Sequence, residues 1–162
     1  MNNGQQDENF SSVCRVPDAE MIAWLHNAHS QQLALCDELE EIADSLPVNV
    51  NRQKCIYAAK ALVPMIRTLH HYEETVLFPR VHRQNGGHDN SEILSRLRYE
   101  HLEDEGYAEE LTETLLKLGS GVSVNMEAVG YMLRGFFEGL RRHIAYEGTL
   151  LEDLPAPRSG HA

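Results

Sequence analysis

The chain has 162 residues, enough for one domain with a core of its own and too few for two comfortable ones. Hydrophobic residues at 42% and charged residues at 24% make an ordinary globular mix, while a formal net charge of -11 leaves no basic stripe for nucleic acid or an anionic membrane surface. No apolar run approaches the roughly 18 residues that a membrane-crossing helix needs, and the polar stretch Met1–Asn9 has no signal-peptide core.

Residues 1–16 are polar and aperiodic and read as a flexible arm; the globular part is expected over 17–155, with 156–162 a tail. Pro17-Asp18-Ala19-Glu20 is a helix start with acidic residues in its first turn. The apolar seam that follows runs Ile22, Leu25, His29, Gln32, Cys36, Leu39, Ala43, Leu46, with two polar interruptions, and Pro47 ends it. A second helix starts near Asn51 and shows Ile56, Ala59, Val63, Ile66, His70, Glu74 and Leu77 on one face. Pro64 inside it removes one backbone bond and is expected to kink it; Pro79 marks the exit toward the loop Asn85–Asn90.

The third helix, capped by Asn90 or Ser91, has the seam Leu94, Leu97, His101, Asp104 or Glu105, Ala108, Leu111, Leu115, Leu118, closed by Gly119-Ser120-Gly121. The fourth starts at Ser123 or Asn125 and carries Val129, Leu133, Phe136, Leu140, His143, Glu147 and Leu150 in steps of four and three. No period-two strand pattern competes. Four amphipathic segments with short connections predict an all-α fold, an up-down antiparallel four-helix bundle.

Each seam carries a histidine: His29, His70, His101 and His143. Three of these have a glutamate one turn on, Glu74, Glu105 and Glu147, and residues four apart share a helix face. Composition alone yields about one His-x-x-x-Glu in such a chain, so a single pair has little value. The chain has four, and the one off any seam, His88/Glu92, straddles the loop. The bland alternative is a set of buried hydrogen-bonded pairs. It needs the His70/Glu74 and His143/Glu147 pairs, His29 and His101 to coincide, and unpaired buried carboxylates are costly; Glu105, beside Glu103 and Asp104, fits the bland reading better. Metal is the simpler explanation. Four imidazoles and three carboxylates without thiolate do not suit a closed zinc site or an all-oxygen calcium or magnesium site. They suit two first-row ions bridged by carboxylates, iron first, with manganese or zinc as alternatives. The Glu-x-x-His pairs of ferritin-like bundles are missing.

A first-helix His29, then His70-x-x-x-Glu74 followed by Leu77-Phe78-Pro79, then His101, then His143-x-x-x-Glu147 resembles the hemerythrin family, in particular the bacterial hemerythrin-like HHE cation-binding domains. The resemblance covers about residues 18–154. It implies two iron ions with oxo and carboxylate bridges, one held by His29 and His70 and the other by His101 and His143, with Glu74 and Glu147 as the bridging carboxylates. Glu105 stands where the oxygen-carrying hemerythrins place a second histidine, and the Glu147 spacing is one residue shorter than theirs. Both departures point to the HHE branch.

The resulting expectation is a protein that reversibly binds or senses oxygen or nitric oxide, or handles iron. The alternatives are a di-iron catalyst acting on peroxide or nitric oxide or in iron–sulfur repair, and a metal-free structural bundle. His26 and His71 are rivals of their neighbours His29 and His70; His82, His88 and His161 read as surface residues. Cys14, Cys36 and Cys55 lie apart without a Cys-x-x-Cys, which suits a reducing compartment, so a cytoplasmic monomer or homodimer is expected.

Overall fold

Local sequence signals set the helix ends in the computed structural model, which describes residues 18–84 and 90–154. The expected arm at 1–16 and tail at 156–162, together with His88, lie outside the described residues. Helix α1, Asp18–Ser45, opens with Asp18 and Glu20, whose charges favour the positive end of the helix dipole. Helix α2, Arg52–Tyr72, is capped by Asn51, whose side chain accepts from the Lys54 N–H at 3.0 Å. Pro64 lies inside α2 without ending it.

Tyr72 passes into a π turn, Glu73–Leu77, and then into α3, Phe78–Gln84. The Phe78 N–H bonds to Glu73 O, one residue further back than in an α-helix. Pro79 therefore does not end the helix, contrary to the sequence expectation. In a regular α-helix its ring would press on the Thr75 carbonyl, and the wider turn just before it relieves that clash. Helix α4, Ser91–Gly119, and α5, Met126–Glu152, follow, α5 being capped by Asn125, which accepts from Ala128 N–H at 3.1 Å. Between them Gly121 has φ +75°, the left-handed turn that glycine adopts without strain.

The rod α2–π–α3 packs most extensively on α4, and α1 on α5, making a four-helix bundle with no strand among the described residues. Its interior is two apolar clusters. The larger contains Leu39, Leu62, Leu111, Leu133, Phe137 and Leu140; the smaller contains Met21, Leu25, Leu77, Phe78, Leu97 and Leu151. Each long helix crosses from one cluster to the other, and at the crossing it carries the polar residues predicted on its seam: His29 and Gln32, His70, His101, His143 and Glu147. A polar layer thus sits between two dry ones. Surface ion pairs Arg134–Asp44 at 2.6 Å and Arg141–Asp37 at 2.8 Å tie α5 to α1. No helix among the described residues is long and apolar enough to cross a membrane.

Candidate metal centre

The four seam histidines are all buried, and so is Glu147. The second inward carboxylate is Glu73, fully buried, and not Glu74, whose side chain is 37% exposed. The expectation that Glu74 shares the inward face of His70 is corrected by this placement. At about 100° per residue, positions three and four apart both lie near one face, and the chain's path at the turn decides between them. Here Glu73, the first residue of the π turn, follows the inward path.

Around the layer's centre, His29 Nε2 lies 3.2 Å from Glu73 Oε1 and 3.2 Å from Glu147 Oε2. On the opposite side His101 Nε2 lies 3.1 Å from Glu73 Oε2 and 3.4 Å from Glu147 Oε1, and His143 Nε2 lies 2.8 Å from the same Glu147 oxygen. Each carboxylate therefore divides its two oxygens, one toward His29 and the other toward His101. His70 stacks on His101 with ring centroids 3.8 Å apart. The resemblance implied pairing His29 with His70; the structure instead brings ligand atoms of His70, His101 and His143 within 4.8 Å of one another.

The outward nitrogens are also held. Glu74 Oε1 lies 2.8 Å from His101 Nδ1, Glu105 Oε1 lies 3.1 Å from His70 Nδ1, and Glu100 Oε2 lies 3.3 Å from His143 Nδ1. Glu105 is thus a partner of His70 from the outer side, as Glu74 is of His101. A carboxylate behind an imidazole fixes its tautomer and leaves Nε2 to act as a ligand. Sequence reasoning missed Glu73 and Glu100. Glu73 was visible as the residue three after His70; Glu100 gave no spacing signal, since it simply precedes His101. His26 and His71 are exposed.

Burial alone would depress His29, but the hydrogen bonds it donates to the Glu147 and Glu73 carboxylates outweigh it and carry its pKa up to about 9. His101 is likewise carried against burial to about 10 by Glu147, Glu73 and Glu74. His70 is pushed down to about 3 by burial and by its histidine neighbours. Burial raises Glu73 to about 7, whereas for Glu147 three histidines overcome burial and hold the carboxyl well below the usual range.

The donor set fits a metal. Buried His70 Nε2 has no hydrogen-bond partner, and like Glu73 Oε2 and His143 Nε2 it is an atom that can offer a lone pair. Nitrogen and carboxylate donors without sulfur suit first-row divalent or trivalent ions. A cleft of about 460 Å³ between α4 and α5, bordered by Glu100, Asp104, Gly139, Arg142 and Tyr146, reaches His143 from outside.

A family model of the hemerythrin HHE cation binding domain matches residues 20–153. The chain belongs to this family. The matched span takes in all four histidines and both inward glutamates, so the polar layer is that of a hemerythrin HHE cation-binding domain, a buried His/Glu cluster able to hold metal. No curated protein and no solved structure matches the chain.

Proposed function

We propose that this HHE domain binds two metal ions, iron in the first place, and uses them to bind or sense oxygen or nitric oxide, or to handle iron. The observation that carries the two-ion reading is the division of the Glu73 and Glu147 oxygens between the His29 side and the His101 side. A carboxylate facing donors on two sides is arranged to bridge. His29, His70, Glu73, His101, His143 and Glu147 would hold the ions. Manganese or zinc would find the same donors. When bound, the metal supplies a coordination position and electrons for a diatomic ligand.

The protein's own part is positioning and exclusion. Glu74, Glu105 and Glu100 hold three imidazoles by their outer nitrogens, and the apolar clusters keep bulk water from both ends of the layer. Glu74 and Glu105, which the resemblance placed among the ligands, are read as outer supports. The chain would work as a cytoplasmic monomer or homodimer.

The deciding experiment is metal analysis of the purified protein together with optical spectra of its reduced form before and after air, then nitric oxide. Two irons per chain and a spectrum that responds to the gas support the proposal. Well under two irons, with no response, would end it. A catalytic reading, turnover of peroxide or nitric oxide, is favoured by one observation, the cleft that reaches His143. Assaying consumption of either substrate separates it from reversible binding.

A further inference from the structure

Gln32 is the residue of the polar layer that metal binding leaves unused. Its side chain is 1% exposed, and no protein group accepts a hydrogen bond from its Nε2. Leaving such a donor buried and unpaired is destabilising, so an apolar residue there would make a more stable protein. His70 Nε2, the other orphaned nitrogen of the layer, differs from it in kind. It can offer a lone pair, and a cation satisfies it. An amide N–H₂ has no lone pair to give and can be satisfied only by an acceptor.

Position narrows what the acceptor is. Gln32 lies on α1 three residues after His29, about 4.5 Å further along the axis and on the same buried face. The next buried residues, Leu35 and Cys36, already belong to the larger apolar cluster. The amide therefore stands at the boundary between the His29 side of the layer and a dry wall. An acceptor there has to be small, and one that carries negative charge would also be stabilised by a metal cation held in the neighbouring layer.

We propose that Gln32 is a ligand-binding residue: its Nε2 donates a hydrogen bond to a small anionic or polarised ligand held on the His29 side of the centre. This rests on the two-metal reading above. Gln32 would then favour ligands that gain negative charge on binding over neutral ones of the same size, at the expense of stability in the metal-free protein.

The test uses azide as the probe on the full, iron-loaded, air-oxidised chain, with Gln32→Met and Gln32→Leu as variants that remove the donor. Iron content is measured first. Parent protein without iron would sink the two-metal reading and this inference with it, whereas full iron in all three proteins isolates the role of Gln32. The expected result is full iron, azide affinity lowered roughly 10- to 100-fold in both variants, and metal-free forms that melt at or above the parent's temperature. Azide affinity within twofold of the parent in both variants overturns the proposal. So does a lower melting temperature of both metal-free variants with unchanged affinity, because it would mean that the amide is already satisfied inside the fold, for example by a bound water.

Discussion

Glu74 Oε1 lies 2.8 Å from Nδ1 of His101, a residue on a different helix. The exchange is mutual, because Glu105, from the helix of His101, sits 3.1 Å from Nδ1 of His70 on α2. Each His-x-x-x-Glu glutamate on these two helices therefore serves the other helix's histidine. The two rings it steadies are the stacked pair.

This crossing predicts different phenotypes for adjacent glutamates. Glu74→Gln or Glu105→Gln should weaken metal binding by roughly 10- to 100-fold while leaving the stoichiometry at saturation unchanged, as expected for groups behind the ligands. Glu73→Gln should reduce the number of ions bound. Titration of each variant against a competing chelator reads both quantities. Loss of an ion in Glu74→Gln with none lost in Glu73→Gln would reverse the assignment.

Metal should stabilise the fold by mass action. At free metal about 100-fold above the dissociation constant, the gain is about 2.7 kcal/mol, and a chelator should remove it. The double variant His70→Ala, His143→Ala should melt at the same temperature with and without metal. A metal-dependent shift that persists in this variant would place the binding elsewhere.

Stability of the metal-free protein should fall as pH rises. His29 and His101 titrate near 6.5 when unfolded but at about 9 and about 10 in the fold. Their contribution is complete below pH 6.5 and is lost as pH climbs through those folded values. Glu73, raised from 4.5 to about 7, acts in the same sense over its own range. His70, lowered to about 3, opposes them only below its unfolded value of 6.5. Urea midpoints of chelator-treated protein, measured between pH 6.5 and 10, should therefore decline. A flat or rising profile would contradict the protonation pattern.

The close packing of α4 on α5 can be tested at Gly135. A methyl group there would meet Tyr107 Oη at 2.8 Å, and that hydroxyl donates to the Met132 carbonyl at 2.7 Å. Gly135→Ala gains helix propensity but has to displace the tyrosine, so a net loss of about 1–2 kcal/mol is expected in urea unfolding. In Tyr107→Phe, which lacks the hydroxyl, the same substitution should cost less.

Much of this was legible in the chain. Steps of three and four placed His29, His101, His143 and Glu147 on seams, and all are interior. Those helices are regular where the seams were read, so linear spacing translated into facing. Where the backbone leaves α geometry, spacing misled. The facing of Glu74 follows from a rule for an unbroken α-helix, and the π turn starts at Glu73. Pro79 reads as an exit for a related reason, since a proline breaks a helix only where the turn before it is regular. Near the end of α5, Leu151 is buried where Leu150 was expected, a one-residue drift after seven turns of imperfect heptad match. Glu100 and the crossed partners of Glu74 and Glu105 were unreadable for another reason. They depend on how two helices are rotated against each other, which no single helix encodes.

The π turn has a further consequence for how this chain can change. An extra residue in one coil lets the segments before and after it be phased separately, like two gears on one shaft. Upstream, α2 can keep the phase that suits Leu62, Ile66 and His70; downstream, Phe78 and Val81 can keep the phase that suits the smaller cluster. Deleting Thr75 would close the wide turn to ordinary α geometry and bring the Pro79 ring onto the carbonyl four residues back. The turn is a register joint, and an indel there would cost far more than one in the exposed connections at the bundle's ends.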